Sequence, residues 1–416
     1  MIDTEAYDPF GELDRALGAG RILDPYPGFE ELRRQGPVAR LDLETLRAHA
    51  RAHGMPRNVV IPPSSLEVYA VLSHEAVSRV LRDGRTFSSR IYAATMGVVM
   101  GETILQLDEP EHAQRRGLIQ QAFTRGALRR WETQLVAPIV RDRIDAFAAR
   151  GRADLVRELT FPFPVQVIAG MIGLPSRDLP RFHRWAVELI SVGFDWERGV
   201  AASRAMAAYF RPLLEERRRA PRDDLMSVLV HAELEGKRLP EDEILAFLRL
   251  LAPAGAETTY RASSNLLAGL LSHPEQLEAV RRDRSRVPAA IEEALRWEPP
   301  LTGIVRVCTR DTEVCGVKIP EGAIVQVILG AANRDPTRFA HPSRFDIQRP
   351  PRPHLAFAFG PHRCLGMHLA RMEMRVALCA VLDRLSGLRL DPDAGEVQIT
   401  GQFFRSPARL PVLFDA

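Results

Sequence analysis

The chain has 416 residues, 46% of them hydrophobic and 26% charged, with a formal net charge of +3. This balance gives a globular chain enough apolar residue to bury a sizeable core. The charge is small and the arginines are spread along the chain, with no basic stripe studded with aromatics, so a nucleic-acid partner is excluded. Four cysteines, Cys308, Cys315, Cys364 and Cys379, are too few for a disulfide framework. Cys308 and Cys315 lack the matching histidine pair of a zinc site.

The opening Met-Ile-Asp-Thr-Glu lacks the basic and apolar regions of a signal peptide. No apolar run approaches the roughly 18 residues of a membrane span. The expectation is a soluble, cytoplasmic protein with no membrane anchor. Residues 41–61 read as a polar helix and loop of weak pattern, with a strand-like piece at 57–62. Residues 69–83 read as a short strand followed by a helix. Apolar residues at three- and four-residue spacing predict helices over 110–122, 126–150, 164–172, 178–195, 199–218, 242–271, 275–283, 288–297 and 365–385. Further strand-like pieces are short: 313–319, 323–329 and the tail 397–413. Gly173-Leu-Pro, Pro299-Pro300 and Pro320-Glu-Gly punctuate the boundaries. There is no internal repeat or low-complexity linker, so the pattern predicts one mainly α domain over 1–416 with a minor β portion.

Four constellations lie on this pattern. Asp108-x-Pro110-x-His112-x-x-x-Arg116 sets a histidine and an arginine on one helix face, a spacing a surface helix also produces. Within 242–271, the small residues Ala254, Gly255 and Ala256 precede Glu257 and Thr258. The hydroxyl of Thr258 can bond back to a carbonyl one turn earlier, and Pro253 should kink or widen the helix. Glu293 and Arg296 stand at i and i+3, the spacing of an ordinary surface ion pair. The fourth is the loop His-Leu-Ala-Phe-Ala-Phe-Gly-Pro-His-Arg-Cys-Leu-Gly over 354–366. There Cys364 lies between Gly360 and Gly366 at the start of a helix-compatible run. A helix beginning after the cysteine would aim free N–H groups at the sulfur and favour its thiolate, which suits a proximal ligand of haem iron. A lone cysteine is more often buried and inert.

The pattern Phe357-x-x-Gly360-x-His362-x-Cys364-x-Gly366 resembles the haem-binding signature of the cytochrome P450 family. It departs at Ala358, where the family usually has glycine. The resemblance implies a helix-rich, triangular-prism P450 fold and haem b bound through the Cys364 thiolate. It makes Glu257 a relay acid and Thr258 the hydroxyl that holds a water during proton delivery. It casts His112, Arg116, Arg306 on a strand and His354 as partners of the haem propionates. Arg349 would join Glu293 and Arg296 in a buried brace around the cysteine loop. Segments 88–105, 183–196, 246–254, 300–305 and 401–405 would line the substrate pocket, with Ile91, Met96, Leu250, Ala254, Leu301, Ile304 and Phe403 among the lining residues.

The activity so implied is monooxygenation of a hydrophobic small molecule such as a terpenoid, steroid or fatty acid. Electrons would come from NAD(P)H through a reductase and a ferredoxin or flavodoxin, docking at a basic face of Arg363, Arg371 and Arg375. Two alternatives stand beside it: a peroxygenase driven by hydrogen peroxide, which Pro253 suggests, and a non-catalytic haem-dependent ligand-binding protein. Arg405 reads as an exposed residue of the tail, with anchoring of a substrate carboxylate as the other reading.

Overall fold

The computed structural model describes residues 24–44, 66–190 and 195–416. The strand expected at 57–62 and most of 41–61 lie outside them. The fold is mainly helical with small sheets, as the sequence pattern predicts. The largest sheet has five strands: β1 (Val38–Arg40), β2 (Val68–Val71), β3 (Phe87–Ser88), β4 (Ile304–Cys308) and β5 (Ile324–Val327), in the order β1-β2-β5-β4-β3. Only β2 and β5 run parallel; the other neighbours are antiparallel.

Helix α1 (His74–Arg82) follows β2, capped by Ser73, whose hydroxyl accepts from the Ala76 N–H. A short 3₁₀ turn (Arg90–Ala94) and α2 (Met96–Met100) lead from β3 to α3 (Glu111–Gln120). The helix predicted over 126–150 is interrupted. It runs over Arg125–Trp131, widens into a π turn at Glu132–Val136, and resumes at Ala137–Ala148. Pro138, in the first turn after the widening, has no N–H to continue the regular ladder. The piece read as one strand at 313–319 is a hairpin, Thr312–Val314 against Val317–Ile319. Its two turn residues, Cys315 (φ 51°) and Gly316 (φ 83°), both take the left-handed conformation of a tight hairpin.

At the centre lies α4 (Glu241–Leu271), 31 residues long, with Glu241, Asp242 and Glu243 in its first turn, where the helix dipole favours acids. It runs unbroken through Pro253, which leaves the Arg249 carbonyl without its helical partner. It packs on the helix Pro162–Ile172, on α5 (Val287–Trp297) and on α6 (Met367–Arg384). Gly255 permits the first contact: a Cβ there would lie 2.5 Å from Ile168 Cδ1. One apolar core links these helices from Val99 to Phe414.

Candidate active site

The loop before α6 is shaped by its own backbone. The Cys364 N–H donates to the Phe357 carbonyl at 2.9 Å, closing the loop on itself. Ala358 has φ 55°, a left-handed conformation that explains why glycine suits this position and that an alanine holds under strain. Gly360, at φ 71°, has no alternative, because a Cβ there would stand 2.2 Å from the Leu81 carbonyl oxygen of α1. Gly366 is different: its φ is ordinary and the space where a Cβ would project is open. Helix α6 starts at Met367, and the Gly366 N–H faces the Cys364 sulfur. Burial pushes the Cys364 thiol up; that N–H and the guanidinium groups of Arg116, Arg371 and Arg363 pull it back. Cys364 is solvent-accessible, just before the first residue of α6.

Near Ala254 most positions of α4 are buried, and the accessible ones, Gly255 apart, fall on one stripe. Leu250 and Thr258 are partly accessible, Ala254 is exposed, and Leu251, Ala252, Pro253, Ala256 and Glu257 are buried. Positions i, i+4 and i+8 share a helix face, so this stripe borders an interior space. Thr258 Oγ1 donates to the Ala254 carbonyl at 2.9 Å. Glu257 lies off the stripe, only 3% exposed, and Arg261 one turn on donates to its Oε1 from Nε at 2.7 Å. Arg261 reaches further, from Nη1 to the Ser406 hydroxyl at 2.8 Å.

A second group gathers where α3, β4 and the cysteine loop meet. The His112 ring packs on His362 with centroids 4.0 Å apart. His112 Nδ1 lies 3.0 Å from Glu109, and its Nε2 is buried with no hydrogen-bond partner. Arg116 donates to the Arg363 carbonyl at 2.7 Å. Arg306 is buried, donates to the Val305 carbonyl, and has no carboxylate within ion-pair distance among the described residues. Burial, then the charges of His112, Arg306 and Arg116, push His362 down to about 3. The nearby acids are engaged: Asp108 with Ser88, Ser89 and Arg90, and Glu109 with His112 and the Ala113 N–H. The group is therefore short of negative charge. Haem carries two carboxylates and a flat macrocycle; the unpaired Arg306, the orphaned His112 Nε2, the open space at Gly366 and the accessible stripe on α4 all fit it.

His354 stands apart from this group. Its Nε2 lies 3.2 Å from Glu292, and its Nδ1 accepts the Ala356 N–H. Glu292 also takes two hydrogen bonds from Arg371, at 2.6 and 2.7 Å, and Arg375 pairs with Glu132 at 2.7 Å. Of the three arginines expected to form a basic face, two are thus already matched by acids. Glu293 and Arg296 are not a surface pair: both are buried and joined by two hydrogen bonds at 2.7 and 2.8 Å. Arg349 approaches the same carboxylate at 3.2 Å. Arg296 also donates to the Asn333 carbonyl, and the Asn333 side chain accepts the Leu355 N–H, which carries the brace into the cysteine loop.

Ile91, Met96, Leu250, Leu301 and Ile304 are partly accessible, as a pocket lining requires, and Ala254 and Phe403 are exposed. Leu301 is bridged to Phe404, which brings the 300–305 and 401–405 segments together. Arg405 corrects the reading made from the sequence. It is 2% exposed and held by Glu298 at 2.9 Å and by the Gly401 and Ile399 carbonyls, so it neither lies on the surface nor offers a free cation to a substrate. Sequence reasoning also passed over Arg261, although its i+4 spacing from Glu257 was a usable signal, and Glu373 of α6. Glu373 is 1% exposed, with the Thr259 hydroxyl beside its carboxyl and no ion pair among the described residues.

The family model for cytochrome P450 matches residues 187–402. Cytochrome P450 monooxygenase PikC of Streptomyces venezuelae is 35% identical over 407 residues, covering 95% of this chain and 91% of the relative. Among solved structures, CYP109Q5 from Chondromyces apiculatus is 34% identical with a TM-score of 0.84, covering 96% of this chain and 98% of that one. CYP109E1 from Bacillus megaterium in complex with testosterone is 30% identical with a TM-score of 0.82, covering 94% of this chain and 100% of that one.

Proposed function

The chain belongs to the cytochrome P450 family and is a monooxygenase of it, and we propose that Cys364 is its haem ligand and that its substrate is a hydrophobic molecule of steroid or terpenoid size. The observation that carries this is the cysteine loop itself, closed by the Cys364 N–H on the Phe357 carbonyl, with Cys364 exposed just before the start of α6. Haem b, bound there, supplies the activation of dioxygen and the insertion of one oxygen atom into the substrate. Arg306, Arg116 and the His112–His362 pair hold its carboxylates; the contact expected of His354 passes to His362, because Glu292 occupies His354.

Thr258 orients a water beside the Ala254 stripe, using the hydroxyl that otherwise bonds back to the helix. Glu257 hands on protons when it swings away from Arg261. Leu250, Ala254, Leu301, Ile304 and Phe403 exclude bulk water and fit an apolar substrate. The relative bound to testosterone supports a steroid-sized ligand. Electrons arrive from NAD(P)H through a separate reductase and a ferredoxin or flavodoxin, for which the exposed Arg363 beside the ligand offers a docking charge.

The test is an absorbance titration of the ferric protein with steroids, terpenoids, fatty acids and macrolides. A shift from low to high spin with one class names the substrate type. Its absence with every steroid and terpenoid sinks the size argument. Loss of the thiolate spectrum in Cys364→Ser is expected; its retention would remove Cys364 as the ligand.

A further inference from the structure

Strand β3 pairs with β4 only at Phe87–Cys308 and Ser88–Val307, and the chain then leaves the ladder for the 3₁₀ turn Arg90–Ala94. The next outward N–H of β4, that of Val305, would be stranded on that edge. Instead it donates to the phenol oxygen of Tyr92 at 2.9 Å. Tyr92 thus completes the sheet edge with a side chain, one residue away from Arg306. Its oxygen also lies against the Arg306 guanidinium, whose charge it supports against the cost of burial.

The accounting of donors and acceptors then leaves one proton over. A phenol offers one O–H and the lone pairs of its oxygen. The lone pairs face two groups that can only donate, the Val305 N–H and the Arg306 guanidinium. The O–H can point at neither, and on this partly accessible side chain it makes no hydrogen bond among the described residues. A free O–H beside a buried, unmatched guanidinium calls for an anion with at least two acceptor oxygens. We propose that Tyr92 is a haem-binding residue, donating its O–H to the same propionate that pairs with Arg306. This rests on the haem reading above and adds a residue to it. It also ties the seat of the cofactor to the segment carrying Ile91 and Met96, so the haem itself helps fix one wall of the substrate pocket.

The experiment compares the wild-type holoprotein with Tyr92→Phe, following transfer of haem to excess apomyoglobin. Losing one hydrogen bond to a carboxylate should speed haem loss about 10-fold. Phenylalanine also leaves the Val305 N–H without its acceptor, so both proteins are reconstituted in parallel with haem dimethyl ester, whose propionates carry no charge. With the diester the gap between wild type and variant should close to within about twofold. An equal gap with haem and with diester would make Tyr92 a sheet-edge residue only and overturn the proposal. Indistinguishable rates with native haem would overturn it too. In either case haem bound by the wild type shows that the broader reading survives; a wild type that takes up no haem would end both.

Discussion

Arg261 donates one hydrogen bond, from Nε, to Oε1 of Glu257 one turn earlier on α4, its Nη2 lies 2.6 Å from the same oxygen, and neither side chain is more than 3% exposed. Such a pair holds the acid in place and resists separation in either direction. Replacing Arg261 by Met leaves a buried carboxylate unmatched and should destabilise the holoprotein by about 3–5 kcal/mol. Glu257→Gln keeps an acceptor oxygen for Arg261 but leaves its buried guanidinium without a counter-charge, and should cost about 3 kcal/mol as well. The double variant Glu257→Gln/Arg261→Met should therefore be more stable than Arg261→Met alone. Denaturant unfolding of the four proteins checks this, and a double variant no better than the single would show that Arg261 acts mainly through Ser406 and its ring contacts.

Catalytic roles predict a different split. In Glu257→Gln product formation should fall about 100-fold with substrate affinity unchanged, since the side chain lies off the accessible stripe. In Thr258→Ala electron consumption should continue while product falls and hydrogen peroxide accumulates. Parallel measurement of NADPH, product and peroxide separates the two, and unchanged product in Thr258→Ala would remove the hydroxyl from proton delivery.

Much of this site was legible because its elements are local. The loop 354–366, the pair Glu257-Thr258 and the pair Glu293/Arg296 each lie within one short window, so the family pattern could be matched to them; spacing by itself left the last two as helix packing and a surface ion pair. What the sequence concealed depends on distant partners. Arg405 read as a surface residue because Glu298, which buries it, lies 107 residues away. His354 reads as a carboxylate contact until Glu292 is seen to occupy it. Arg371 and Arg375 read as a free basic face for the same reason. Glu373 has the hydropathy of any exposed helix position, and it is the packing of α6 among its neighbouring helices, α4 and α5 included, that buries it.

The departure at Ala358 gives a direct test of backbone strain. A left-handed conformation costs a non-glycine residue about 1–2 kcal/mol, and glycine loses about 0.5–1 kcal/mol of that advantage to chain entropy. Ala358→Gly should therefore stabilise the protein by about 0.5–1 kcal/mol, read as a rise in thermal midpoint. Gly360→Ala should do the opposite and far more strongly, by about 3 kcal/mol or more, because the new methyl would overlap the Leu81 carbonyl. A destabilised Ala358→Gly would mean that the methyl, packed beside the sheet core, outweighs the strain.

Glu373 sets a pH dependence whose sign follows from its burial. Desolvation raises its pKa well above the ordinary carboxyl range, and the Thr259 hydroxyl on α4 pulls back only in part. The folded protein therefore keeps Glu373 protonated at a pH where the unfolded chain has released that proton. An acid raised in the folded state contributes its full stability below the unfolded pKa, near 4.5, and loses it as pH climbs toward the folded value. The loss runs at up to about 1.4 kcal/mol per pH unit. Glu373→Gln is neutral in both states and removes this slope while preserving size. The variant should gain on the wild type as pH rises above about 4.5, with the larger difference in thermal midpoint at the alkaline end of the range. Parallel melting curves across that range would mean that Glu373 is ionised in the folded protein and matched by a charge brought to it from outside α4 and α6.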